Sequence, residues 1–216
     1  MHPGWLSNAY LIGDEPGGTA VFVDSGAPLE PLFEAVERHG LTVTHLLTTH
    51  ADADHIAGDD EIRARYGIPV VKGDLETGGL SVRALETPGH KDDHLAFVVN
   101  YELCCSGDVL FKDAVGGGDF EQIRRSVMDV LMKLPPEICV LPGHTDETTI
   151  GREWEENPFV RVWRGAEPEG TERVRVGGEQ ATLIVWSPDY DGKGKAWVRF
   201  DGGRDAIVGG SRVERE

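Results

Sequence analysis

Short apolar runs closed by Gly, Pro or Asp recur along this chain and alternate with segments of helical period, and this punctuation constrains the fold more than any other feature. Residues 8–24 hold two such runs joined by Asp14-Glu15-Pro16-Gly17-Gly18, a hairpin signal. After Pro28, the positions Leu29, Leu32, Phe33 and Val36 recur at helical spacing and stop at Gly40, which predicts a helix. Residues 41–47 (LTVTHLL) form a strand that ends in the polar run Thr48 to Asp54; a helix is expected from His55 to Tyr66, and Gly67-Ile68-Pro69 turns into a further strand. Residues 81–111 read as a meander of strands. Asp119 is a favourable N-cap for one amphipathic helix whose apolar face is Phe120, Ile123, Val127, Val130, Leu131 and Leu134, closed by Pro135-Pro136. ICVLPGH (138–144) returns to strand. Hairpin, helix, strand, helix, strands, helix, strand is an α/β layout with sheets covered by helices.

The pattern changes after about residue 165. Glu167-Pro168-Glu169-Gly170 reads as a linker, and RVRVGG, ATLIVW, KAWVRF and DAIVGG are strand-like pieces joined by Gly-rich turns. The expected organisation is a larger unit over 1–165 and a β-rich antiparallel extension over 166–216, which suits a chain of 216 residues. The extension carries eight Lys and Arg against ten Asp and Glu, so −15 of the formal −17 belongs to the larger unit. A surface of that sign repels nucleic acids and anionic lipid, so neither nucleic acid nor membrane is an expected partner. The cysteines, Cys104, Cys105 and Cys139, are odd in number with two adjacent, which is no disulfide framework and points to buried thiols in a reducing, cytoplasmic setting.

Chemistry-bearing residues concentrate in His50-Ala51-Asp52-Ala53-Asp54-His55, four potential ligands in six residues at the end of a strand, where alternate side chains can aim at one point. An EF-hand register fails, because Ile56 and Ala57 fall where an oxygen ligand and a glycine are required. Three further elements follow in order: Thr87-Pro88-Gly89-His90, Ser106-Gly107-Asp108 and Leu141-Pro142-Gly143-His144. Each sits just past a strand-like run, at a turn held by Gly or Pro, where loops present functional groups on a rigid scaffold. His94 either lines the pocket or is structural, and Lys91 either steers an acidic substrate or is a solvated surface lysine. His2, His39 and His45 read as incidental. Gly116-Gly117-Gly118, without a P-loop ending, reads as a flexible pocket edge, and Ser187 to Gly192 as a hairpin turn.

Taken together, the HADADH cluster, the TPGH histidine, the aspartate of GDVLF and His144 before TDETTIGREWEENPF resemble the metallo-β-lactamase superfamily. The TTIGREWEENPF tail is similar to the glyoxalase II (hydroxyacylglutathione hydrolase) branch and the related persulfide dioxygenases, and the resemblance covers about residues 5–164. It implies an αβ/βα sandwich, with the C-terminal antiparallel strands as an addition, and two divalent metals at the edge between the sheets. By that resemblance His50, Asp52 and His90 hold metal one, Asp54, His55 and His144 hold metal two, and Asp108 bridges them. Asp54 and Asp108 are carried over as the catalytic carboxylates. The implied activity is hydrolysis of a small ester or thioester by a metal-bound hydroxide, which two Lewis-acidic cations keep nucleophilic at neutral pH. Acceptors for the outward N–H groups of the histidines are expected among nearby carboxylates, Asp92 and Asp93 included. The family pattern usually has histidine where this chain has Asp52, a harder and more anionic donor. Zinc is the expected metal, and the extra oxygen ligand admits iron or manganese, and with iron an oxidoreductase of the persulfide dioxygenase or diiron kind.

Overall fold

The computed structural model describes residues 4–215. The expected hairpin is present as β1 (Tyr10–Gly13) and β2 (Thr19–Val23), paired antiparallel with Leu11 opposite Phe22. α1 (Glu30–His39) stops at Gly40, whose φ of 64° is the left-handed conformation that glycine adopts without a Cβ clash. β3 (Thr42–Leu47) runs parallel to β2. The single helix expected from His55 to Tyr66 is instead two, α2 (Ala53–Ile56) and α3 (Asp59–Tyr66). The break falls at Gly58, whose N–H donates to the Ser25 carbonyl; a Cβ there would crowd Ser25 and Leu29, so the close approach interrupts the helix.

β4 (Val70–Val71) completes a first sheet of order β1-β2-β3-β4. β5 (Leu75–Thr77), β6 (Leu80–Glu86), β7 (Leu95–Val99) and β8 (Leu103–Gly107) form the expected meander, followed by the short ladder of β9 (Leu110–Phe111) and β10 (Ala114–Val115). Asp119 caps α4 (Phe120–Arg125) by accepting the Gln122 N–H at 2.9 Å. The expected helix does not continue regularly to Leu134, since Ser126–Val130 widens into a π-helical turn and Leu131–Lys133 tightens into a 3-10 turn. Ser126 Oγ donates to the Pro88 carbonyl at 2.7 Å, pinning the widened turn to the TPGH loop, while Val127 and Leu131 both stay fully buried. β11 (Cys139–Pro142) pairs parallel with β8, and β12 (Thr148–Thr149) closes the second sheet in the order β12-β11-β8-β7-β6-β5. α5 (Ile150–Glu156) and α6 (Pro158–Trp163) follow, the second capped by the Asn157 side chain.

Strand alternation builds the layers. Val21, Val23 and Leu47 of the first sheet meet Val82, Phe97, Val99 and Cys105 of the second, forming the inner core. Their chain neighbours point the other way: Phe22 and Leu46 pack under Phe33, Val36 and Ile62 of α1 and α3. Ala96, Val98, Cys104 and Val140 pack under Ile123 of α4, Ile150 of α5 and Phe159 of α6. The result is helices, sheet, sheet, helices, the αβ/βα sandwich, and the adjacent cysteines face different layers because they are strand neighbours. Truncating a fully buried side chain such as Phe97 to alanine costs about 3–5 kcal/mol.

The remaining strands, β13 (Glu172–Val176), β14 (Glu179–Ser187), β15 (Lys195–Phe200), β16 (Asp205–Gly209) and β17 (Val213–Arg215), form an antiparallel sheet of order β16-β15-β14-β13-β17. Val174, Ala181, Ala196 and Val198 give it an apolar cluster of its own. Ile184, Val185, Trp197 and Ile207 join the layer that contains α4 and α6, and Trp197 lies 5.0 Å from Phe120 between ring centroids. The sheet is therefore packed against the outer helices rather than tethered by its linker alone. No helix among the described residues is long and apolar enough to cross a membrane.

Candidate metal centre

The loops that leave β2, β3, β8 and β11, together with the β6–β7 loop, open at one edge of the sandwich. They carry Asp24, His50 to His55, Asp108, His144 and His90, so side chains up to 120 positions apart meet there. The potential donor atoms of His50, Asp52 and His90 all lie within 4.8 Å of one another, and so do those of Asp54, His55 and His144 and those of His50, His55 and Asp108. Asp108 stands between the groups: Oδ1 is 3.3 Å from His55 Nε2, and Oδ2 is 3.3 Å from His144 Nε2 and 3.8 Å from His90 Nε2. Asp54 Oδ2 is 3.5 Å from His144 Nε2 and 3.8 Å from His55 Nε2. All seven residues singled out in the sequence converge.

The far side of each imidazole decides what the near side can do. His55 Nδ1–H donates to Asp24 at 2.8 Å, His90 Nδ1–H to the Gly117 carbonyl at 2.8 Å and His144 Nδ1–H to the Leu6 carbonyl at 2.9 Å. Thr49 Oγ1 donates to Asp24 at 2.8 Å and so accepts from His50 Nδ1 at 3.0 Å. Every Nδ1 is thus committed, so each ring can ligate only through its inward-facing Nε2, the arrangement by which outer partners set ligand tautomers. His50 Nε2, His55 Nε2 and Asp108 Oδ1 are buried without a hydrogen bond. Buried acceptors facing one another are costly unless a cation sits among them. Three carboxylates and four imidazoles with these orphaned atoms fit a pair of divalent cations.

Charge follows the same geometry. Burial works to lower His55, yet the flanking Asp108 and Asp24 carboxylates outweigh it and push the imidazole up to about 10. Burial also opposes Asp108 ionisation, but hydrogen bonds from His144 and His55 hold its carboxyl well below the usual range. His50, with burial and the neighbouring His55 acting together, falls to about 3.

Asp24 was not legible as a site residue. It is 3% exposed, with a left-handed φ of 56°, and its two oxygens accept the Thr49 N–H, the Thr49 hydroxyl and His55 Nδ1–H. A lone aspartate closing a buried strand before Ser25-Gly26 was its one signal. Asp92 and Asp93, expected as acceptors for the histidines, are exposed, and Asp93 pairs instead with Lys72 at 2.8 Å. The N-terminal segment also contributes: Asn8 Nδ2 donates to the Pro142 and Thr145 carbonyls, and Tyr10 donates to Pro142 at 2.6 Å, clamping the loop of His144.

His94 is structural. It is 1% exposed, donates from Nδ1 to Thr87, and its Nε2 accepts the Asp108 N–H at 3.0 Å, so it fixes the backbone of Asp108. Lys91 is neither free nor a steering charge, because Nζ lies 2.7 Å from Asp52 Oδ1, leaving Asp52 Oδ2 toward His90 at 3.2 Å. Burial raises the Asp52 carboxyl, and Lys91 with the two histidines reverses the shift to a net lowering. Gly116 to Gly118 form an ordered edge rather than a flexible one: Gly117 fixes His90 and Gly118 bridges to Ile207. His39 ends α1 and His45 lies in β3, outside the cluster, while His2 is outside the described residues. In the TTIGREWEENPF tail, buried Glu153 is spent on Thr148, Asn157, Arg152 and the Asp113 N–H, a structural brace.

A family model of the metallo-beta-lactamase superfamily matches residues 2–78. The chain is 30% identical to ETHE1 from Myxococcus xanthus, whose structure superposes with a TM-score of 0.64 over 73% of this chain and 80% of that one. A di-iron-bound structure of TTHA1623 matches at 28% identity and TM-score 0.62, over 74% of this chain and 98% of that one. A hydroxyacylglutathione hydrolase from Rhodopseudomonas palustris is 35% identical over 158 residues, 62% of this chain and 61% of the relative. The chain belongs to the metallo-beta-lactamase superfamily, in its glyoxalase II-like branch.

Proposed function

We propose that this protein is a metal-dependent hydrolase of a small thioester or ester, with His50, Asp52 and His90 holding one divalent cation, Asp54, His55 and His144 the other, and Asp108 shared between them. The observation that carries the reading is the set of four Nε2 atoms facing inward around Asp108, each ring fixed by a hydrogen bond on its far side. When bound, the cations supply Lewis acidity toward a carbonyl oxygen and lower the pKa of a water. Asp108, 7% exposed, keeps the two halves in register. Asp54, whose side chain is 28% exposed and whose Oδ2 faces His144 Nε2 at 3.5 Å, reaches solvent and orients the attacking water. The Nδ1–H groups are all committed, so the imidazoles have no proton to give a leaving group. That favours a thioester: its thiolate, conjugate to a thiol of pKa about 8.5, departs without one.

Purified protein is expected to hold roughly two zinc ions per chain and to convert a small thioester and water to a carboxylic acid and a thiol. His144→Ala abolishes that turnover and lowers metal content with the far-ultraviolet dichroism unchanged; turnover equal to the parent contradicts the assignment. A second reading, iron-dependent oxidation of a persulfide, draws support from the oxygen-rich donor set created by Asp52 and from the di-iron-bound relative. Stoichiometric iron with dioxygen consumption on a persulfide and no thioester turnover selects it.

A further inference from the structure

The hairpin turn expected at Ser187 to Gly192 does more than join β14 to β15. It reaches back over the sandwich edge and lays the Tyr190 ring on His144, with centroids 4.0 Å apart and planes within 10°. Phe111 meets the same tyrosine edge-on at 5.9 Å. Two devices hold the turn in place: Ser187 Oγ donates to the Asp113 carbonyl at 2.6 Å, and Asp189 pairs with Lys195 at 3.0 Å with side chains only 3% and 13% exposed. Lys195 Nζ also lies 5.7 Å from the Tyr190 ring. Burial, with Asp108 and the neighbouring aspartates, pushes the phenol up to about 12, so Tyr190 stays neutral.

Between this turn and the Lys112-Asp113 turn lies a cleft of about 360 Å³, lined by Lys112, Asp113, Thr145, Asp146, Pro188 and Tyr190 among others. It borders the loop of His144, since Thr145 follows His144 in the chain and Tyr190 packs on its ring. Asp113, in its lining, has its N–H fixed by Glu153 at 2.9 Å. Nothing in the resemblance over residues 5–164 supplies Pro188 or Tyr190; both come from the C-terminal sheet.

We infer that the β14–β15 turn forms a specificity wall of the active site, and that this cleft takes the non-reacting arm of the substrate, a flat or aromatic group that lies along Tyr190 and Pro188. This rests on the hydrolase reading for the reaction, though not for the binding. An aromatic arm stacked on a tyrosine gains roughly tenfold in affinity over an aliphatic arm that cannot stack. Tyr190 acts as a specificity residue, and its phenol oxygen is not required.

The test uses the zinc-loaded full chain with two probes of turnover, S-benzyl and S-methyl thioacetate, and two of binding, benzyl mercaptan and ethanethiol, read by calorimetry. The parent prefers the benzyl member of each pair. Tyr190→Ala reduces that preference roughly tenfold, chiefly through KM and Kd, with metal content unchanged, and Tyr190→Phe restores it. An unchanged benzyl preference in Tyr190→Ala overturns the inference, as does an equal loss on both probes accompanied by loss of metal, which marks a purely structural tyrosine. A kcat loss shared equally by Tyr190→Phe and Tyr190→Ala also overturns it by making the hydroxyl the working group. Should the parent bind benzyl mercaptan through Tyr190 yet hydrolyse neither thioester, the hydrolase reading fails and the cleft stands; turnover indifferent to Tyr190 gives the reverse.

Discussion

The two sides of the candidate metal centre are built on opposite plans. The first sheet supplies four of the seven side chains, His50, Asp52, Asp54 and His55, from one loop after β3, and supports them with a buried carboxylate, Asp24. The second sheet supplies His90, Asp108 and His144 singly from three loops and supports the histidines with backbone carbonyls, those of Gly117 and Leu6. One half is a short stretch of chain folded around its own anchor; the other exists only once three distant loops are in register. The first is exposed to loss of one side chain, the second to any displacement of backbone.

The sharpest way to break this contrast is at the anchor. Asp24→Ala strips His55 Nδ1–H, the Thr49 N–H and the Thr49 hydroxyl of their acceptor, and we expect zinc affinity, measured by chelator competition, to fall about 10- to 100-fold. Asp24→Asn, which keeps the acceptor oxygen and tolerates the left-handed backbone, should fall between parent and alanine. Indifference of the metal to both variants would erase the distinction between the halves.

The dispersed half is probed through Gly143. A Cβ at that position runs into Asp108 Oδ1 and sits 2.7 Å from His55 Cε1, so Gly143→Ala moves the loop of His144 against the bridging carboxylate. We expect about 1–3 kcal/mol of destabilisation in chemical denaturation and a smaller loss of zinc affinity than in Asp24→Ala. A Gly143→Ala protein as stable and as tightly metallated as the parent would show that this loop has slack.

Protons give the smallest and most discriminating effect. Without metal, the imidazoles of His55 and His144 are raised by Asp108, His55 to about 10, whereas His50 is lowered to about 3. Metal therefore displaces protons from His55 and His144 and none from His50, so zinc affinity rises with pH through neutrality and binding releases roughly one to two protons per chain. Calorimetry at pH 7.5 in buffers of different ionisation enthalpy counts them, and a count of zero would contradict the charge pattern.

The same contrast explains what the sequence disclosed. The one-loop half is visible as density, four potential ligands in six residues, and the layers are visible as alternation, down to Cys104 and Cys105 facing apart. The scattered half shows itself only as three Gly- or Pro-held turns in a fixed order. Asp24 and Tyr190 escaped because each satisfies a local rule by itself: an aspartate closing a strand, and a tyrosine inside a Pro-Asp-x-Asp-Gly turn. Their roles arise from packing across 31 and 46 positions of chain, to His55 and His144. The broken helix at Gly58 and the π-helical turn at Ser126 escaped for a related reason, since both answer to a neighbouring loop rather than to their own periodicity.

The carbonyl of Leu6, which orients His144 from 138 positions away, has a consequence for assembly. Closing a contact of that span carries a large loop-entropy cost, so it is expected to form after the sheets have brought its two ends together. Metal capture by this protein should therefore count finished molecules: chains stalled short of that last closure carry most of the ligands and still lack a competent centre.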